Sequence, residues 1–247
     1  GKLAAAALKL PLATLPTSAA TCACATAVAV RNDGAGGYLD VDDLAQPPDL
    51  CLAELPVLRS APARLLAAGL ADTYAKWLEW DALGVGDGPG FGSLAGLALA
   101  RRAAEVCETL GSEALQRPAS SAFMDVLEAC LIASSAASCA GRAPAAAAHS
   151  LANALSLQAP GRALLHGEAV GLGLLWQESL LARAGRATIG VEVLQRRLKA
   201  WGLPLNLPAG LDARRLAADA WAEDESSRLL GLDNEVGCLV ELPLGGL

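Results

Sequence analysis

Only two histidines occur in the 247 residues, His149 and His166, each beside a segment with helical character. Neutral imidazole is the commonest protein ligand for zinc or iron, so two rings at the facing ends of neighbouring helices are the raw material of a metal site. A helix beginning near Pro144 places Ala145, Ala146, His149, Ala152 and Asn153 along one face; the small residues leave room for an ion, and Asn153 is a candidate for orienting the ring. His166 opens the next helix after the Ala159-Pro160-Gly161 break, with Glu168 in a first turn that favours a carboxylate. Spacing alone is equally compatible with two unrelated histidines, one against a core and one exposed. Asp72 is the candidate third ligand, because it falls amid Leu65, Ala68 and Gly69 on a face that wants burial, and a buried carboxylate needs a partner. It is also four residues from Lys76, and an ordinary surface pair of that kind contributes only about 0.3–0.5 kcal/mol. Both readings of Asp72 stay open on spacing.

The elements that must position these groups are mainly helical. Hydrophobic residues make up 53% of the chain and aromatics only 4%, a balance that supports a packed globule of close-set Ala- and Leu-rich helices. A net charge of −7 offers nothing to phosphate backbones or anionic lipid, so nucleic acid and membrane are poor partners and a small molecule is the expected one. Self-association through exposed apolar helix surface is a further expectation. The seven cysteines contain no CxxC pair and read as reduced, mostly buried thiols of a cytoplasmic protein. Lys2, an apolar stretch and Ala23-Cys24-Ala25 imitate a signal peptide, but Lys9, Pro11 and Pro16 interrupt it. No uninterrupted apolar run reaches the roughly 18 residues of a membrane span.

Residues 1–61 differ from the rest. After the end of a helix at Lys2 to Lys9, a short buried strand is expected over 11–15 and another over 26–30, with Asn32-Asp33-Gly34 turning a hairpin back through 38–41. From Ser60, a potential cap, and Pro62, helical spacing predicts about twenty residues of helix, then further helices over 93–110, 121–138, 144–158, 167–184, 190–201 and 212–226. The alternating glycines of 84–92 follow no strand, and Pro89 removes a donor that a phosphate cradle would want, so they read as a connection between helices.

The segment Gly69-Leu70-Ala71-Asp72-Thr73-Tyr74-Ala75-Lys76-Trp77-Leu78-Glu79 resembles the metal-site helix of the iron-containing alcohol dehydrogenase and glycerol dehydrogenase family. Pro16-Thr17-Ser18-Ala19-Ala20-Thr21 resembles that family's nicotinamide-side loop, and the segments around His149 and His166, including Asn153 and His166-Gly167-Glu168, resemble its two histidine motifs in the same order. The resemblance implies a dehydroquinate synthase-like architecture: an α/β dinucleotide-binding domain, here a C-terminal remnant over 1–61, followed by an all-α metal-binding domain over 62–247. It implies a metal-dependent alcohol or polyol dehydrogenase that passes hydride between an alcohol and NAD(P). It further implies that Asp72, His149 and His166 bind one divalent ion, zinc or iron, and act in catalysis, while Thr17, Ser18, Ala19, Ala20, Thr26 and Val28 contact the cofactor. Those six residues equally suit turn closure and strand filling. Ligand histidines must be neutral, so activity is expected to fall with pH.

Two departures from the family pattern stand out. Its triple-glycine phosphate loop does not occur in these residues, so the chain is expected to be a fragment of a longer enzyme that by itself binds NAD weakly or not at all. Where glycerol-oxidising members carry an aspartate after the PTxxST-type loop, this chain has Cys22, which puts polyol specificity in doubt and equally suits a small buried filler. Glycerol-1-phosphate dehydrogenase and dehydroquinate synthase share the architecture, and Arg142 and Arg162 are the basic groups available to a phosphorylated substrate. A catalytically inactive metal-binding or oligomerisation module is the alternative outside the enzymes.

Overall fold

The computed structural model describes residues 1–84, 90–141 and 144–223. Residues 85–89 of the glycine-rich connection, Arg142 and Cys238 lie outside them.

The first part is a loose assembly of short pieces. Helix α1 (Lys2–Leu8) is followed by β1 (Ala13–Thr14), a 3₁₀ turn (Ala23–Ala25), β2 (Val28–Asn32), β3 (Tyr38–Asp43), β4 (Leu50–Cys51) and α2 (Leu55–Ser60). β2 and β3 form the expected antiparallel hairpin, where the Asp33 carboxylate accepts from the amides of Ala35 and Gly37 at 2.8 and 2.7 Å. β1 pairs in parallel with β4, Ala13 opposite Leu50 and Thr14 opposite Cys51. The buried strand expected over 11–15 is therefore only two residues long and is not buried: Leu15 and Leu50 remain 63% and 54% exposed. The strand expected over 26–30 begins later, at Val28, because Thr26 is consumed locally. Its hydroxyl donates to Ala23 O at 3.3 Å, and its carbonyl takes the Lys2 ammonium at 3.0 Å. Ser60 does not cap the following helix; it ends α2, and its hydroxyl donates to Val57 O at 2.8 Å.

Helices follow from residue 63 onward. α3 (Ala63–Leu83) is the centre of the molecule, with every residue from Leu66 to Lys76 buried. A helix covered on all sides needs no amphipathic stripe, and polar groups inside it require internal partners. Around it stand α4 (Phe91–Gln116), α5 (Ser121–Leu127), α6 (Ser134–Gly141), α7 (Ala147–Ser156), α8 (His166–Arg183), α9 (Val191–Ala200) and α10 (Ala213–Glu223). Tyr74 of α3 packs edge-on against Trp77 and Trp201, both at 5.7 Å between ring centroids, and the Arg197 guanidinium of α9 lies over the Tyr74 ring at 5.0 Å. One apolar core joins Leu66, Leu70 and Leu78 of α3 to Leu151, Leu155, Leu172 and Leu175, and takes in Ala19 and Leu58 from the first part.

α5 and α6 are one rod interrupted by a π-helical segment at Glu128–Ala133. Within that rod the Ser135 hydroxyl donates to Leu131 O at 2.5 Å and Cys22 O at 3.1 Å, tying the rod to the loop that follows Thr21. By length and composition Ser121–Gly141 is apolar enough to cross a membrane, although Asp125 and Glu128 interrupt its apolar run. It packs along α4 with 56% of its apolar window buried, as a core helix does. The thiols divide evenly: Cys22, Cys107 and Cys130 are buried, while Cys24 is half-buried and Cys51 and Cys139 are exposed. All six described cysteines are free.

Candidate metal centre

Three helices deliver one donor each. Asp72 comes from the middle of α3, His149 from the first turn of α7, and His166 from the first position of α8. These helices can meet closely because glycine lies at their crossings. A Cβ on Gly173 would sit 2.1 Å from Ala148 O, and one on Gly167 would sit 1.9 Å from Ala68 O.

Asp72 Oδ1 is 3.4 Å from His149 Nε2 and 3.6 Å from His166 Nε2, and one donor atom from each residue lies within 4.8 Å of the others. A tetrahedral ion with bonds of about 2.0–2.1 Å holds its donors roughly 3.3 Å apart. The two carboxylate–imidazole distances are long for good hydrogen bonds and close to that separation, and with all three donor atoms within 4.8 Å of one another the set is a candidate for a zinc- or iron-like cation. Side-chain exposure rises from 3% at Asp72 through 17% at His149 to 46% at His166, which leaves an approach on the His166 side.

Further side chains hold this constellation. Burial alone would keep Asp72 protonated, but the Lys76 ammonium, 3.8 Å away, and the two imidazoles hold its carboxyl well below the usual range. The pair with Lys76 is thus real, buried and part of the centre, and Lys76 in turn is raised above its usual range by Asp72 against the effect of burial. Burial disfavours a charged His149, yet Glu79 and Asp72 push its metal-free pKa up to about 10. Glu79, fully buried, accepts from His149 Nδ1 at 2.6 Å and from the backbone amides of Ala146 and His149 at 2.8 and 3.0 Å. The orienting role expected of Asn153 is therefore taken by Glu79, whose seven-residue offset from Asp72 puts both on one face of α3 and is the sequence signal for it. The other terminus is secured by Glu168, which accepts from Leu165 N at 2.8 Å and from two Arg64 nitrogens at 2.6 Å each. Burial opposes ionisation of Glu168, and Arg64 outweighs it, lowering its pKa.

The candidate cofactor residues are placed less uniformly. The loop Thr17–Ala20 crosses α3 at Gly69, three residues before Asp72, where the Ala19 carbonyl presses on the glycine. Ala19 is buried, Ser18 and Ala20 are half-buried, and Thr17 is exposed. Thr26 is turned into its own loop, and Val28 O accepts the Lys2 ammonium at 2.6 Å. Cys22 is buried with its thiol beside Lys76. Arg162 is engaged by Ser156 O at 2.9 Å and faces Asp33 at 3.8 Å. An apolar groove of about 450 Å³ runs between β4 and the α5–α6 rod, lined by Cys51, Leu55, Met124, Leu131 and Ile132 among others, and none of the three donors lines it.

No family model matches the chain. Over 178 residues, 71% of this chain and 46% of the relative, it is 34% identical to a protein of Synechocystis sp. named as an uncharacterized oxidoreductase. Over 175 residues, 68% of this chain and 48% of the relative, it is 30% identical to the glycerol dehydrogenase of Citrobacter freundii. Among solved structures, the glycerol dehydrogenase of Schizosaccharomyces pombe shares the fold with a TM-score of 0.85 and 21% identity, over 98% of this chain and 65% of that one. The chain spans about half the length of the curated relatives it matches.

Proposed function

We propose, because this chain belongs to the iron-containing alcohol dehydrogenase and glycerol dehydrogenase family, that it carries the metal-binding half of an NAD(P)-dependent dehydrogenase acting on a small alcohol or polyol and the matching carbonyl compound. The observation that carries the reading is the convergence of Asp72, His149 and His166 from three helices, with both imidazoles 3.4–3.6 Å from Asp72 Oδ1 and all three donor atoms within 4.8 Å of one another. A divalent ion, zinc or iron, held by these three residues would supply Lewis acidity that eases loss of an alcohol's hydroxyl proton. The overall reaction removes that proton and a hydride from the carbinol, giving a carbonyl compound and reduced nicotinamide.

The chain's own groups prepare this chemistry. Asp72 and Glu79 bring two buried negative charges, and Lys76 returns one positive charge, so a dication leaves the centre with one net positive charge for an anionic oxygen. His166, the most exposed of the three donors, marks the side open to substrate. The loop Thr17–Ala20, anchored on α3 one turn before Asp72, is the proposed nicotinamide contact, and Thr26 and Val28, whose carbonyls hold the Lys2 ammonium, are the further cofactor residues of the proposal.

We assign residues 1–61 to the remnant of the nucleotide-binding domain and 62–247 to the metal-binding domain, since the described strands end at Cys51 and long helices begin at Ala63. We infer a cytoplasmic location from the dehydrogenase family alone. A phosphorylated substrate draws no support from Arg162, whose guanidinium is already engaged. The test is metal content after dialysis against zinc or ferrous iron: about one ion per chain in the parent protein, and a loss in both Asp72→Ala and His166→Ala. Equal metal in all three proteins refutes the reading.

A further inference from the structure

We propose that Glu79 is the positioning residue of the metal centre, fixing the His149 imidazole in the tautomer that keeps the Nε2 lone pair free for a divalent cation. The inference rests on the metal-dehydrogenase reading of Asp72, His149 and His166, and adds a fourth residue that touches no ion.

Asp72 and Glu79 stand seven residues apart on α3, two turns and about 10.5 Å along one face. The His149 ring enters from α7 between them, with Nε2 3.4 Å from Asp72 and Nδ1 2.6 Å from Glu79. A carboxylate only accepts hydrogen bonds, so a 2.6 Å contact makes Nδ1 the donor and leaves the lone pair of the neutral ring on Nε2, facing the place where the three donors converge. The Glu79 side chain is itself held in place. Its Oε1 receives the Ala146 and His149 amides, and the Lys76 ammonium lies one turn away on the same helix. Those two amides belong to the start of α7, where Ala146 offers no side-chain cap of its own. One buried carboxylate thus ends the helix and aims its histidine, one oxygen for each task. A carboxylate behind a ligand histidine also raises the basicity of the ring, and removing such a partner characteristically costs about 10- to 100-fold in metal affinity.

Glu79→Gln separates the two tasks. The amide oxygen still accepts the two backbone N–H groups, while the amide NH₂ facing Nδ1 requires that nitrogen to accept, which moves the ring proton onto Nε2. Zinc is titrated into the 247-residue chain against a chromophoric chelator for the parent protein, Glu79→Gln and His166→Ala. In parallel, long-range ¹H–¹⁵N spectra of the zinc-loaded parent identify the proton-bearing nitrogen of His149, with only one other imidazole in the spectrum. The expected result is a roughly 10- to 100-fold loss of zinc affinity in Glu79→Gln, together with an exchange-protected Nδ1–H on His149 in the parent. Zinc affinity of Glu79→Gln within twofold of the parent overturns the proposal, as does zinc on Nδ1 of His149 in the parent, and the second measurement needs no variant to fold. If the parent binds zinc no better than His166→Ala, the metal centre itself is wrong; if His166→Ala weakens binding and Glu79→Gln does not, only the role of Glu79 is.

Discussion

Two glycines two residues apart on α8 give opposite predictions. A methyl at Gly173 would meet Ala148 O at 2.1 Å, whereas ordinary contact begins near 3.4 Å, so Gly173→Ala must part α7 from α8 by about 1.3 Å. Ala148 precedes His149 directly, and the ring moves with the helix that carries it. Metal–ligand bonds of about 2 Å tolerate only roughly 0.2 Å of error, so the displaced ring cannot keep its place without pulling the other donors. Overpacking of this kind costs about 1–3 kcal/mol, partly offset by the helix preference of alanine, and Tm should fall by roughly 2–8 °C. Zinc affinity should drop at least tenfold. At Gly171 the added methyl meets Leu198 and Ala71 carbons at 3.6–3.8 Å, which is ordinary contact. Gly171→Ala should therefore gain about 0.5–1 kcal/mol and raise Tm by roughly 1–4 °C with zinc affinity unchanged. Calorimetric scans in chelator, paired with zinc titrations of both variants, make the comparison. Parent-like stability and zinc affinity in Gly173→Ala, or a larger loss in Gly171→Ala, would refute the claim that glycine-mediated helix contact sets the donor spacing.

Other outcomes follow from the same geometry. Zinc at 100 times its dissociation constant should stabilise the parent by about 2.7 kcal/mol, a Tm rise of roughly 5–10 °C that chelator reverses and that Asp72→Asn lacks; an equal rise in the variant places the ion elsewhere. His149 must lose a proton to accept an ion, and its metal-free pKa is raised from 6.5 to about 10. The stability it lends the metal-free fold is complete below about pH 6.5 and vanishes as pH rises through 10, whereas zinc affinity should climb with pH across that window. Calorimetry at pH 8 in buffers of different protonation enthalpy should find about one proton released from this ring per zinc bound, and none would contradict the assignment. Glu168 is lowered in the folded protein, so its contribution is present above about pH 4.3 and is lost on acidification. Arg64→Ala, which strips the partner from a mostly buried carboxylate, should cost about 1–2 kcal/mol at pH 7 and shrink that acid dependence, as measured by urea unfolding at pH 7 and pH 4.

The rarity of histidine singled out His149 and His166, and an acidic residue amid apolar helical neighbours singled out Asp72. Both are patterns a linear chain can display, because helical periodicity links burial to spacing within a few turns. The β2–β3 hairpin was legible from Asn32-Asp33-Gly34 for the same local reason. The helix around His149 begins at Ala147 rather than Pro144, since its first amides are satisfied by Glu79 and Gln177 from two other helices. A cap supplied across the fold leaves no mark near the helix it ends. The short, unburied strand at 13–14 has the mirror-image cause, an apolar segment whose burial depends on neighbours that local composition does not specify.

By itself, then, the sequence determined which residue types were available for a metal centre and the order of helices that carry them, because propensity and periodicity act over a few residues. Only the tertiary structure decided that Asp72 pairs with Lys76 and also faces both imidazoles, and that Glu79 rather than Asn153 holds His149. Those outcomes depend on how closely α3, α7 and α8 cross, and a hydrogen bond between residues 70 positions apart is fixed by packing, not by adjacency.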